Sequence, residues 1–476
     1  MTTTLDADVP TFRDPAGSLM RFDGRILRVV RADFAEELAA FLETRAARDA
    51  GKSGRLISSW RLPPNAVPAL ELPPGEALYE HERVPFPSYP YEWAPEMLQA
   101  AGFLTLDLAL ATLEEGFGLK DATPYNVLFR GPQPVFVDLL SFERRQPRDA
   151  AWMPYAQFMR TFLLPLLANR DLGWPLQQSL ISPRDGLEPE ALYRLAGLRR
   201  RLTQPYLEAV SLPTWFTYLK RAESSLYHPK PVPSDEQARY VLRKLLERCR
   251  KQLDAAGPRS HSESTWSRYL DCKSLYSRQQ LAEKEAFVRE ALDLAQPSLV
   301  LDVGANEGHF SLLAAKTGAS VVALDTDSAV VDSLWRRANS GKLDVLPLVV
   351  DLTRPTPATG WKNQECDSFL DRANGSFDMV FMLALMHHIV VTERVPVEEL
   401  LSLAAGLSRK YLLIEFVAPE DPMFQRIVRG RETLYSHFTK QRFETAAQRH
   451  WELVRSKQIT GLHRWLYLYR QRHAKN

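Results

Sequence analysis

The run SLVLDVGANEGHF, Ser298 to Phe310, sets an acid, two glycines and an asparagine at spacings suited to holding a ligand. An apolar strand reaching Asp302 and Val303 turns sharply at Gly304, where the missing Cβ leaves the backbone free, and Gly308 opens a helix close to whatever the turn binds. Amides at such a helix start point outward and receive an anionic group. Two more carboxylates follow, Asp325 at the end of SVVALD and Asp351 at the end of DVLPLVVD. An acid about 20 residues beyond a glycine turn is placed to bond a ribose diol. Asp351, or an amide beside it, is placed to meet an adenine edge. A plain strand–helix corner also uses glycine, but the strand before, the helix after and the two later acids favour ligand binding.

The elements that must position these residues are legible from Ser298 onward. Short apolar runs (SLVLDV, SVVALD, DVLPLVVD, FDMVFMLAL, KYLLIEF) alternate with helical patterns such as HFSLLAAKTG and VEELLSLAAGLS. Runs of this kind suit strands buried on both faces, and strand–helix alternation predicts a parallel sheet covered by helices. The last run, HRWLYLYRQ, is aromatic and alternating, which suits a strand nearer the edge. The 33 prolines gather in the first half, as in PPNAVPALELPP, and mark irregular connectors there. HPKPVPSD precedes a helical run closed by Gly257 and Pro258. These signals divide the chain into an α+β domain over 1–230, a hinge with connecting helices over 231–280, and an α/β, Rossmann-like domain over 281–476.

LDVGANEGHF resembles the first motif of class I S-adenosylmethionine-dependent methyltransferases, usually an acid followed by glycine-x-glycine-x-glycine. Asp302, Gly304 and Gly308 match, and Asn306 replaces the central glycine with a residue that tolerates left-handed backbone. The resemblance implies a seven-stranded fold, a Gly304–Gly308 turn around the methionine moiety, Asp325 on the ribose hydroxyls, and Asp351 with Leu352 beside adenine. FDMVFMLALMHHI resembles the fourth motif, whose strand ends beside the transferred methyl group. That places His387 and His388 near the reacting atoms, where a histidine titrating close to neutrality can act as a base. Glu415, ending KYLLIEF, is a further candidate to face the pocket. Trp266, Tyr269, Tyr276 and Lys284 precede the first strand as a candidate lid, and Tyr435 and His437 sit in a candidate substrate-covering segment. The acceptor expected is a small molecule or glycan-like metabolite.

In the first half, GLKDATPYNVLFRGPQPVFVD reads as a hairpin that gathers Asp121, Asn126 and Asp138 into an oxygen-rich group suited to magnesium. It resembles the catalytic loop and metal-binding acid of the protein-kinase-like fold, in its small-molecule phosphotransferase branch. By that resemblance Asp121 is the base, and Asn126 and Asp138 hold the metal of a magnesium–ATP complex. Leu119 stands where the family has histidine, and neither a glycine-rich loop nor a clear lysine–glutamate pair is present, which favours a reduced or inactive form. The pairing of this hairpin with a carboxy-terminal methyltransferase resembles bacterial proteins described as related to nodulation proteins.

Composition narrows the partners. Lys+Arg of 60 against Asp+Glu of 58 gives a net charge of +2, so no overall basic field points to nucleic acid or anionic membrane. Three scattered cysteines make no metal-ligand spacing. No run reaches the roughly 18 uninterrupted apolar residues of a membrane span, and MTTTLDADVPTFRDP lacks the order of a signal peptide, so a cytoplasmic protein is expected. The leading function is methyl transfer. Competing readings are a magnesium–ATP phosphotransferase at Asp121, Asn126 and Asp138, and a non-catalytic sensor of an adenosyl ligand.

Overall fold

The computed structural model describes residues 14–67, 70–181, 183, 185–219, 231–258 and 276–472. Trp266 and Tyr269 lie outside the described residues. Contacts divide the chain into two compact units, Met1–Ser260 with Thr359–Cys366, and His261–Ala358 with Asp367–Asn476.

In the first unit, strands Gly17–Phe22 (β1), Arg25–Val30 (β2), Ser59–Leu62 (β3) and Ala77–His81 (β4) form an antiparallel sheet in the order β1-β2-β4-β3. Helix Ala32–Leu42 (α1) follows β2 and buries Ala35, Leu38 and Phe41, an i, i+3, i+6 stripe. Helix Pro95–Leu113 (α2) begins at a proline, which suits the first turn because its missing N–H has no partner there. Among the described residues α2 alone has the length and apolarity to cross a membrane. Its buried side chains, Met97, Leu98, Leu104, Leu106 and Leu108 among them, make it a core helix of this unit. Strands Phe117–Leu119 (β5), Val127–Arg130 (β6), Gln133–Phe136 (β7) and Phe142–Arg144 (β8) form two antiparallel pairs, β5 with β8 and β6 with β7. Helix Asp235–Ala256 (α3), capped by Ser234 on the Gln237 amide, packs on α2 within the same unit.

The second unit is a seven-stranded sheet in the order β11-β10-β9-β12-β13-β15-β14. Its strands are Leu299–Val303 (β9), Ser320–Asp325 (β10), Val345–Val349 (β11), Phe377–Met382 (β12), Ser408–Val417 (β13), Trp451–Gln458 (β14) and Arg464–Gln471 (β15). β9 to β13 are mutually parallel, and β15 runs antiparallel to both neighbours. All six residues of β12 are buried, the double-sided burial that makes a central parallel strand read as an unbroken apolar run. Pro347 is tolerated because β11 is an edge strand. At the other side of the sheet β15, the HRWLYLYRQ run, lies one strand in from the edge, and the edge itself is β14, exposed along nearly its whole length. Charges in WELVRSKQ suit an edge, because they deter pairing with another chain.

The helices of the unit include Arg278–Ala295 (α4), His309–Ala315 (α5), Ser328–Gly341 (α6), Met386–Val391 (α7), Val397–Leu407 (α8), Pro422–Val428 (α9) and Lys440–Ala447 (α10). A capping box on Ser277 and Gln280 starts α4. At the amino end of β12, Asp378 accepts the Ser298 and Leu299 amides at 3.0 and 3.2 Å and pairs with Arg409 and Lys410 at 3.3 and 3.4 Å. One buried carboxylate thereby ties the starts of β9, β12 and β13.

Candidate active site

A cavity of about 400 Å³ opens at the carboxyl ends of β9 to β12, within the size range of small-molecule sites. Doubly wound sheets bind ligands outside these ends, where strand order reverses, and here the reversal falls between β9 and β12. Gly304, Asn306, Asp325, Asp351, Leu352 and His388 all face it.

The turn after β9 is held from beneath. Amides of Gly304 and Ala305 both donate to the Leu324 carbonyl at 2.9 Å, locking the turn to β10. Gly304 has φ +72, and a Cβ there would lie 3.0 Å from Leu385 Cδ1. Asn306, the departure from the usual glycine, adopts φ +51, a region asparagine visits more readily than most residues. Its amide donates to Asp325 Oδ2 at 2.8 Å, and the Asp327 amide donates to Oδ1 at 3.0 Å. Burial raises the Asp325 carboxyl above its ordinary value, against the pull of these amide bonds. The carboxylate is therefore fixed in direction and keeps lone pairs for a diol.

Asp351 accepts the amide and hydroxyl of Thr353 at 2.9 and 2.6 Å, so it organises the turn that presents Leu352. Burial works against its ionisation, but the Thr353 and Arg354 contacts outweigh it and hold the carboxyl below its usual range. Sequence reasoning missed Arg354, which reaches Asp351 at 3.2 Å and Glu393 at 3.4 Å, joining two sides of the mouth. It also missed Ala384, whose φ of +53 at the end of β12 is strained backbone for a residue with a side chain.

Asp302 and Gly308 stand behind the cleft rather than on its surface. Asp302 is buried, accepts the Ser311 hydroxyl at 2.6 Å, and is pushed up to about 6 by burial. Gly308 has φ +74, and a Cβ would come within 2.1 Å of Leu334 Cδ1, so its bare backbone admits α6.

The two histidines part company. His388 lines the cleft, whereas His387 is fully buried and neither ring nitrogen has a protein hydrogen-bond partner. Burial lowers both below the ordinary histidine value, with Arg464 adding to the effect on each. Glu415 is also fully buried, outside the cleft lining. It accepts Lys284 Nζ at 2.6 Å and the Tyr276 hydroxyl at 2.6 Å, with Arg464 Nη1 at 3.6 Å. Burial would raise its carboxyl, but the two cations and two donors hold it below the usual range. Arg464 makes a bidentate pair with Asp421 at 2.7 and 3.0 Å. Tyr276, partly buried, and Lys284, buried, are thus partners of Glu415. Tyr435 packs its hydroxyl on the Val391 carbonyl at 3.2 Å, and His437 is exposed.

In the first unit the three polar residues of the hairpin are engaged with protein groups. Asn126 Nδ2 donates to Ser141 Oγ at 3.0 Å, and that hydroxyl donates to Asp138 Oδ2 at 2.5 Å. Arg28 Nη1 lies 3.5 Å from Asp138 Oδ1 and 3.1 Å from Asp14. Asp121 receives Gln157 at 3.5 Å. A guanidinium standing beside the carboxylate does not fit a magnesium ligand, and among the described residues no cluster of three His, Cys, Asp or Glu side chains could hold a metal. The phosphotransferase expectation gains no support from this arrangement.

Residues 274–466 match the family model described as a methyltransferase domain. Over 465 residues the chain is 29% identical to nodulation protein NoeA of Rhizobium meliloti (strain 1021), covering 96% of this chain and 95% of that protein. Among solved structures, the N-methyltransferase NodS from Bradyrhizobium japonicum WM9 is 12% identical with a TM-score of 0.31, over 41% of this chain and 98% of that one. WbdD is 20% identical with a TM-score of 0.30, over 42% of each chain. The assignment rests on the family match together with the cleft: the second unit is a methyltransferase domain of the S-adenosylmethionine-dependent kind.

Proposed function

We propose that the protein transfers a methyl group from S-adenosylmethionine to a small-molecule acceptor, with a glycan-like metabolite as the favoured class. The observation that carries this reading is the fixed Asp325 carboxylate, aimed by two amides at the carboxyl end of β10 beside the Gly304–Asn306 turn. Gly304 and Asn306 hold the methionine side of the cofactor, Asp325 the ribose, and Asp351 with Leu352 the adenine. The cofactor supplies an electrophilic methyl group on a sulfonium that is its own leaving group.

The protein's task is alignment and, for an acceptor that must lose a proton, its removal. His388 is the residue placed for that removal, since it faces the cleft and is kept neutral by burial. His387 backs it, and Glu415 is a positioning carboxylate, bonded by two donors and paired with Arg464.

Replacing Asp325 with alanine removes an acceptor for two ribose hydroxyls. Hydrogen bonds to a charged group contribute roughly 1.5–3 kcal/mol each, so the expected loss in cofactor affinity is at least about tenfold. Titration calorimetry with S-adenosylmethionine reads the change, and unaltered affinity in a folded variant would reject the assignment.

A further inference from the structure

The second unit contains another cavity, of about 670 Å³, lined by Glu420, Glu432, Tyr435, Lys440, His463 and Trp465 among others. These residues come from the segment between β13 and β14 and from the start of β15. Because β15 is antiparallel to β13, with Phe416 opposite Trp465 and Val417 opposite Arg464, the cavity opens beyond the carboxyl end of β13. Asp325 and His388 stand on this same edge of the sheet.

Helix α7 links the two spaces through Tyr435, which lines the second cavity. His388 and Ile389 line the cofactor cleft. From the other side the Tyr435 hydroxyl donates to the carbonyls of Val390 and Val391 at 3.4 and 3.2 Å. A sulfonium methyl moves only to a nucleophile held in near contact, so the bulk of an acceptor needs a space adjoining the cleft.

The chemistry of the lining is selective. Among the described residues Lys440 is its single lysine or arginine. That ammonium is taken by Glu444 at 2.6 Å and lies 5.7 Å from the Trp465 ring centroid. Arg464, next to Trp465 in sequence, is 2% exposed and committed to Asp421. Among the described residues of the lining no lysine or arginine is left unpaired to receive a phosphate or carboxylate, while Glu420 and Glu432 are both exposed. An anion entering would give up water and meet like charge. A molecule carrying hydroxyl or amine donors would meet carboxylate acceptors and the aromatic face of Trp465.

We propose that this cavity lodges the methyl acceptor and selects a non-anionic molecule rich in hydroxyl or amine donors. The proposal rests on the methyltransferase reading above. It is tested by incubating the full chain and S-adenosylmethionine labelled in its methyl group with a bacterial small-molecule extract split by ion exchange into cationic, neutral and anionic fractions. Label is expected in the cationic or neutral fraction. With that fraction as substrate, the Glu420→Lys/Glu432→Lys variant, altered only at exposed positions, is expected to raise KM at least about tenfold while cofactor affinity stays unchanged.

Label confined to the anionic fraction, an unmoved KM, or no label in any fraction despite cofactor binding would overturn the proposal. Failure of the wild-type chain to bind S-adenosylmethionine would instead overturn the reading beneath it.

Discussion

Replacing Lys284 with methionine removes one charge from a sealed pair. Lys284 Nζ lies 2.6 Å from Glu415 Oε2, with side-chain exposures of 4% and 0%. Taking one partner from a buried pair costs about 3–5 kcal/mol, because the remaining charge is left without water or counter-ion. Tyr276 and Arg464 still serve Glu415 at 2.6 and 3.6 Å, which places the cost near the lower end, about 3 kcal/mol. The double variant Lys284→Met/Glu415→Leu removes both charges and keeps the volume, and such replacements are often neutral or stabilising by about 1–4 kcal/mol. Arg464 retains its bidentate contact with Asp421 in that variant, so its stability should fall within about 1 kcal/mol of wild type.

Scanning calorimetry of the full chain gives the readout, using the transition that moves with S-adenosylmethionine to mark the second unit. The pH dependence supplies a further check. Glu415 is held below its unfolded value, so its stabilising contribution is complete above about pH 4.3 and is lost as pH falls through the lower folded value. In Lys284→Met the buried carboxyl loses its main partner and its pKa rises, so the deficit against wild type is largest near neutrality and shrinks toward pH 4. A single variant as stable as wild type, or a double variant no better than the single, would refute the reasoning.

Two other outcomes follow from the site. Gly308→Ala places a Cβ 2.1 Å from Leu334 Cδ1 at φ +74, and should lower the same calorimetric transition by about 1–3 kcal/mol. Adding Leu334→Ala relieves the clash but not the backbone strain, so a complete rescue would contradict this account. His388→Ala should lower kcat by about a hundredfold with cofactor affinity unchanged. Because burial and Arg464 lower the pKa of His388, the acid limb of wild-type kcat should lie below pH 6.5, and that limb should vanish in the variant.

Much of the second unit was legible because its physics is local. Runs such as SVVALD and FDMVFM are mainly apolar and show no polar–apolar alternation, as strands covered on both faces require. Asn306 stood out because its backbone tolerance could be weighed at a single position. The edge strand was not legible: WELVRSKQ has one buried residue, Trp451, and no alternation to mark it. Long-range pairing was also hidden. Lys284 and Glu415 are separated by 131 positions, and nothing in either segment names the other. The first-unit hairpin teaches the same lesson, since Asp138 looked available to a metal until Arg28, 110 positions earlier, was brought beside it.

Asp378 has a consequence for how such a protein can change over time. By fastening three strand starts at one rim, it helps to align them from the rim opposite the cleft. Insertions and substitutions in the segment leading from β13 to β14 can then reshape what is recognised while the strands keep their pairing. New specificities become reachable by small steps, each on a scaffold that still folds.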